Sequence, residues 1–214
     1  MALETEDIIR TGVIGRFMVS PKRIIRCAWV PRGNALYERY HDTEWGVPVH
    51  RDRKIFEFLV LESAQAGLSW EIVLKKRDGY RKAFAGFDPK KVARFGARDA
   101  GRLLRDPGII RNRAKITAAI NNARRFLEVR SEFGSFSRYV WQFVGGKPTN
   151  YRRRRLADLP ETTQEAERLS TDLKKRGFQF LGPKIIYAHM QATGMVNDHL
   201  VSCFRNRSVS RVAR

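Results

Sequence analysis

Apolar residues along this chain recur at helical rather than strand spacing. In DRKIFEFLVLESAQAG (52–67), Ile55, Phe56, Leu59 and Val60 form one stripe behind a possible cap at Asp52, and Gly67 closes the run. FDPKKVARF pairs Asp88 with Pro89 in the order of an N-cap and first helical residue, and NRAKITAAINNARRFLEV aligns Ile116, Ile120, Ala123 and Leu127. TTQEAERLSTDLKKRG starts at a Thr cap, carries its acids early and its lysines late, and stops at Gly177. A second helix then opens at Gly182-Pro183, so GFQFLGPKIIYAHMQATG predicts two helices joined by a short turn, with Phe178, Phe180 and Leu181 as its apolar residues. Near the end, VNDHLVSC sets His199 and Cys203 four apart, the spacing of one helix face. Strand alternation is absent, and the only biased tract is the arginine run at 152–155. The pattern predicts an all-α protein.

Length and composition narrow this picture. A chain of 214 residues can bury roughly 70% of its unfolded surface and needs no staple to fold. One helical domain over residues 26–204 is expected, preceded by a basic, poorly ordered extension (1–25) and followed by a basic, mobile tail (205–214). No apolar run approaches the roughly 20 residues that span a bilayer, and MALETEDIIRTG lacks the order of a signal peptide, so a cytoplasmic, nucleoid-associated protein is expected. With 42 Lys plus Arg against 22 Asp plus Glu, the formal charge is +20. Such a charge favours a polyanionic partner, nucleic acid ahead of an acidic membrane.

Three constellations can carry chemistry. Cys27, His41, His199 and Cys203 make a two-cysteine, two-histidine set, the composition of a closed, structural zinc site. On spacing alone two buried thiols and two unrelated histidines explain them as well. The turn before Pro183 exposes backbone N–H groups that can grip a DNA phosphate, with Gly182 allowing close approach and Lys184 adding charge; an ordinary helical corner is the alternative. YERYHDTEWG and LESAQAGLSW bring Tyr37, Tyr40, Trp45 and Trp70 together with one acid, Glu62. That is the makeup of a pocket that stacks an extruded, cationic purine, or simply of a core with one solvated acid.

HDTEWGVP, QAGLSW, LKKR, GIIRNRAKI, LKKRGFQFLGP and MQATGMVNDH, in this order, resemble the motifs of bacterial 3-methyladenine DNA glycosylase I over about Cys27 to Cys203. The resemblance implies a helix-hairpin-helix glycosylase fold with a Zn2+ clasp, one ion per chain, on Cys27, His41, His199 and Cys203. It implies that Glu62 contacts the alkylated adenine, with Tyr40 and Trp70 stacking around it and Tyr37 and Trp45 nearby. Gly67 and Leu68 match the residues that fill the duplex once the nucleotide leaves, while Gly182 and Lys184 contact DNA. The implied enzyme is a monomeric, monofunctional glycosylase that takes duplex DNA carrying alkylated bases and releases free 3-methyladenine. The superfamily's catalytic Asp has no counterpart in register, since VNDH places Asn197 there and shifts Asp198 by one; Asp198 remains a candidate electrostatic helper. Residues 1–25 have no match, and Ser63 and Ala64 are unusually small neighbours for the pocket acid. Two competing readings are a non-enzymatic, zinc-stabilised DNA-binding protein and a zinc hydrolase acting on nucleic acid.

Overall fold

Ten α-helices and one two-residue ladder make up residues 24–212, which the computed structural model describes. Residues 1–23 of the expected extension lie outside that range. In chain order the elements are α1 (Ala35–Thr43), α2 (Asp52–Gln65), α3 (Trp70–Ala83), α4 (Pro89–Val92), α5 (Ala97–Arg105), α6 (Arg113–Phe133), α7 (Phe136–Trp141), β1 (Thr149–Asn150), α8 (Gln164–Lys175), α9 (Pro183–Ala192), β2 (Val196–Asn197) and α10 (Phe204–Val212). No helix among the described residues is long and apolar enough to cross a membrane.

The organising element is α2. Its sequence is apolar nearly all round, and every position from Ile55 to Ala64 is buried, with α3, α6, α7 and α9 packed on it. Each large side chain buried there, such as Phe56, Phe58 or Leu61, contributes about 1.5–3 kcal/mol of transfer free energy. Two acids are carried inside with it. Glu57 accepts hydrogen bonds from Arg77 Nε at 2.7 Å and Lys54 Nζ at 3.1 Å, whereas Glu62 has no such partner among the described residues.

Several caps follow the sequence: Asp88 accepts from the N–H groups of Lys90 and Lys91, and Thr163 from that of Ala166. Asp52 does not cap its own helix. It sits in the first turn of α2 and accepts from the N–H groups of Phe136 (3.2 Å) and Ser137 (2.9 Å), which satisfies the start of α7.

Helices α8 and α9 pack together across the connection 176–182. Two α6 side chains hold that connection: Asn121 donates to Gly177 O, and Asn122 exchanges two 2.8 Å hydrogen bonds with the Gln179 backbone. Phe178 and Leu181 enter the core as expected, but Phe180 does not. It stands 43% exposed at φ +55, because the tight turn directs alternate side chains outward.

Three further expectations are corrected. A parallel ladder pairs Thr149 with Val196 and Asn150 with Asn197, too short to leave an alternating pattern. His199 and Cys203 lie on a turn, closed by Cys203 N–H to Leu200 O at 2.8 Å, rather than on a helix. The basic segment after Cys203 forms α10 over residues 204–212, anchored by buried Asn206 and Val209, instead of a free tail.

Candidate functional site

A cavity of about 330 Å³ opens beside the C-terminal half of α2. Tyr37 and Tyr40 reach it from α1, Trp45 from the loop after α1, Glu62 from α2 and Trp70 from the first residue of α3. All five aromatic and acidic residues picked from the sequence therefore meet in one place. The Tyr40 and Trp70 rings are 5.4 Å apart and tilted by 51°, in contact with each other as adjoining aromatic walls of the cavity.

Glu62 is 4% exposed. Burial pushes its carboxyl up to about 8, which favours the neutral acid near neutrality. Its place in the most buried helix accounts for that shift. Burial above all drives the Tyr40 hydroxyl well up, keeping it a proton donor.

The cavity has walls that the sequence reading missed. Trp29, two residues after Cys27, lies 4.9 Å from the Trp45 ring, and Gln65 follows Glu62 by three positions on α2. Ala188 and Gln191 come from α9, and Leu156 and Leu159 from the segment after the arginine run. Helical spacing could have suggested Gln65; nothing local marks the two leucines, which are placed by the path of the chain. Arg152, Arg154 and Arg155, in the run just before Leu156, are exposed.

Behind the cage the four cysteine and histidine side chains converge. Their ligand atoms lie within 4.8 Å of one another and all four residues are buried, so the cluster can hold a metal ion. The Cys27 and Cys203 Sγ atoms are each 3.6 Å from His199 Nδ1, and Cys203 Sγ is 3.4 Å from His41 Nε2. The outer nitrogens have acceptors: His41 Nδ1 meets Asp42 Oδ1 at 2.7 Å, and His199 Nε2 meets Trp45 O at 2.9 Å. Each contact fixes the tautomer that turns a lone pair toward the cluster. The N–H groups of Leu200 and Arg205 point at Cys27 Sγ and Cys203 Sγ, both at 3.4 Å, which favours thiolates. Trp45 and Trp29 pack on the histidines and also line the cavity, so the two sites share a wall.

Asn197 and Asp198, from the run where a catalytic Asp was sought, do not line the cavity. Asn197 donates to Asn206 O and Ser210 Oγ and accepts from His199 N–H, which braces the cluster. Asp198 is buried against Tyr187, Gln191 and Arg153.

The remaining residues mark an outer face. Gly67, at φ +77, and Leu68, 36% exposed, form the tip between α2 and α3. Lys115 Nζ, on α6, donates to Ala64 O at 2.9 Å and Ala66 O at 2.6 Å, closing the end of α2 below that tip. Ser63 Oγ donates to Leu59 O at 2.7 Å and lies 3.3 Å from Phe180 O, so α2 and the α8–α9 turn are in contact there. At Gly182 the backbone is extended with φ −65, and an added Cβ would meet nothing within 4 Å. No internal contact demands glycine there. Lys184 is exposed and pairs with equally exposed Glu161 at 2.5 Å, a pair of small energetic value that leaves the ammonium available to other anions.

Residues 29–206 match the family described as methyladenine glycosylase. The chain is 49% identical over 178 residues to DNA-3-methyladenine glycosylase 1 of Escherichia coli (strain K12), covering 83% of this chain and 95% of that protein. It is 45% identical over 178 residues to DNA-3-methyladenine glycosylase of Haemophilus influenzae, covering 83% and 96%. The structure also resembles the crystal structure of a variant 3-methyladenine DNA glycosylase I in complex with 3-methyladenine, with a TM-score of 0.82, 38% identity, and coverage of 85% and 97% of the two chains.

Proposed function

The chain belongs to the methyladenine glycosylase family, and from that premise we propose how its own residues carry out base excision. The protein is a DNA-repair glycosylase that removes 3-methyladenine from alkylated DNA. The lesion swings out of the duplex and enters the cage, stacking against the wall made by Tyr40 and Trp70, with Tyr37 and Trp45 closing the sides. Methylation at N3 gives the base a formal positive charge, which aromatic faces attract and a dry carboxylate offsets. Arrival of that charge reverses the penalty that keeps Glu62 neutral, so Glu62 gives up its proton as the cation enters. The C1′–N9 bond then breaks with its electron pair moving onto the base, which leaves neutral. Water adds to C1′, loses a proton to solvent and completes an abasic site. The substrate's own instability supplies most of the driving force, so no further base or nucleophile is required. Lys184, out on the surface, serves a phosphate rather than a covalent intermediate, and the enzyme is monofunctional.

Gly67 and Leu68 fill the gap in the duplex, and Gly182 and Lys184, at the start of α9, hold the backbone in the manner of a helix-hairpin-helix. The cluster of Cys27, His41, His199 and Cys203 holds one structural zinc ion. Tetrahedral bonds to sulfur and nitrogen separate ligand atoms by about 3.3–3.8 Å, and three sulfur–nitrogen separations of 3.4–3.6 Å here match that, with all four ligand atoms within 4.8 Å of one another. Four protein ligands leave no position for a reactive water, so a zinc hydrolase is not favoured. The enzyme acts as a monomer on duplex DNA in the cytoplasm.

The observation that carries this reading is a buried, unpaired acid lining a cavity walled by aromatic rings. A purely DNA-binding protein would have no use for it. The test is release of free 3-methyladenine from methylated duplex DNA. Glu62→Ala should lower release by about a hundredfold or more while affinity for undamaged DNA and the melting temperature stay near the native values. Native-level release by the variant, or none by the native protein, overturns the reading.

A further inference from the structure

We propose that Gln191, its side-chain amide locked by Asp198, makes the pocket prefer an alkylated adenine to an alkylated guanine. The inference rests on the base-pocket reading above and extends it to substrate choice. Gln191 lies in the last turn of α9 and lines the cavity. A free glutamine amide is ambivalent, since half a turn about its terminal bond exchanges a donating NH2 for an accepting oxygen. Such a residue would serve either purine.

Here the exchange is blocked. Gln191 Nε2 donates to Asp198 Oδ2 at 2.9 Å, and the same oxygen accepts from the Tyr187 hydroxyl. Asp198 is 1% exposed, with Arg153 Nε 3.6 Å from its other oxygen. Turning the amide over would set Gln191 Oε1 against that carboxylate, two acceptors in a site without water to separate them. One Nε2 hydrogen is committed to Asp198 and Oε1 has no protein partner among the described residues, so the lock holds the amide in the orientation that keeps Oε1 available as an acceptor. Adenine carries an amine at C6 and can donate to it. Guanine carries a carbonyl oxygen at C6 and is repelled. Asp198 is thus a positioning residue, and its place one residue from the clasp ligand His199 keeps it fixed.

The experiment uses duplex DNA treated with dimethyl sulfate, which contains both 3-methyladenine and 3-methylguanine. Both released bases are quantified by mass spectrometry for the native protein, Gln191→Met and Asp198→Asn. Met keeps the length and removes the acceptor; Asn offers an oxygen and an NH2, so it can pair with either face of Gln191. The ratio of adenine to guanine release should fall by about tenfold or more in each variant, through lost adenine release in the first and gained guanine release in the second. The ratio does not depend on the fraction of folded enzyme, so partial misfolding leaves the test intact. A native ratio in both variants overturns the proposal. Failure of the native protein to release 3-methyladenine would instead remove the base-pocket reading beneath it.

Discussion

At the scale of single residues, Glu62 shows how placement decides chemistry. An acid among aromatics was legible in LESAQAGLSW, but its protonation was not, because that depends on the helices around α2. The carboxyl is raised from 4.5 to about 8, so the folded protein retains a proton that the unfolded chain releases between those values. Stability therefore falls as pH rises through that window, by on the order of a few kcal/mol for this group alone. Glu62→Gln should flatten the decline, read as the melting temperature at pH 5 and pH 9. In catalysis the sign is opposite. On the mechanism proposed for Glu62 the cation needs the ionised form, so kcat/KM for 3-methyladenine release should climb up to about tenfold per pH unit below 8 and level off above it. A flat profile in the native protein would contradict the charge-offset mechanism.

At the scale of elements, the end of α2 is the critical join. The sequence marks it with Gly67, yet the last carbonyls of a buried helix also need donors. Lys115 supplies them from α6, 51 and 49 residues away from Ala64 and Ala66, a contact that no local pattern could announce. Burial lowers the Lys115 ammonium's pKa, the mark of a charge drawn partly into the protein. If this contact aims the Gly67–Leu68 tip, Lys115→Met should slow base release from duplex DNA by about tenfold to a hundredfold. Affinity for free 3-methyladenine, measured by calorimetry, should be unchanged, since the cage does not include Lys115. Equal loss of both would show a general packing defect. The α8–α9 turn follows the same logic: its helices and Pro183 were readable, but the outward Phe180 was set by Asn121 and Asn122 holding the connection.

At the scale of the whole molecule, the cluster of Cys27, His41, His199 and Cys203 joins the two ends of the described domain and braces one wall of the cavity. If the cluster holds zinc as proposed, Cys203→Ser should lower the zinc content, measured by mass spectrometry, and reduce the melting temperature by about 10 °C before it changes the pH profile of the remaining activity. Full zinc retention would contradict the clasp. What the sequence by itself determined is local or chemical in kind: helical periodicity, caps at Asp88 and Thr163, the strong positive charge, and the residue types that make a cage, a metal cluster and a family likeness. Those properties are written in neighbouring residues or in composition, so no fold is needed to read them. Only the tertiary structure decided that Leu156, Leu159 and Gln191 share a cavity with Glu62, that Asp198 stands behind that cavity, and that burial raises the Glu62 carboxyl. Each depends on segments distant in sequence excluding water from one another, and desolvation is a property of the assembled surroundings rather than of any residue in its own stretch of chain.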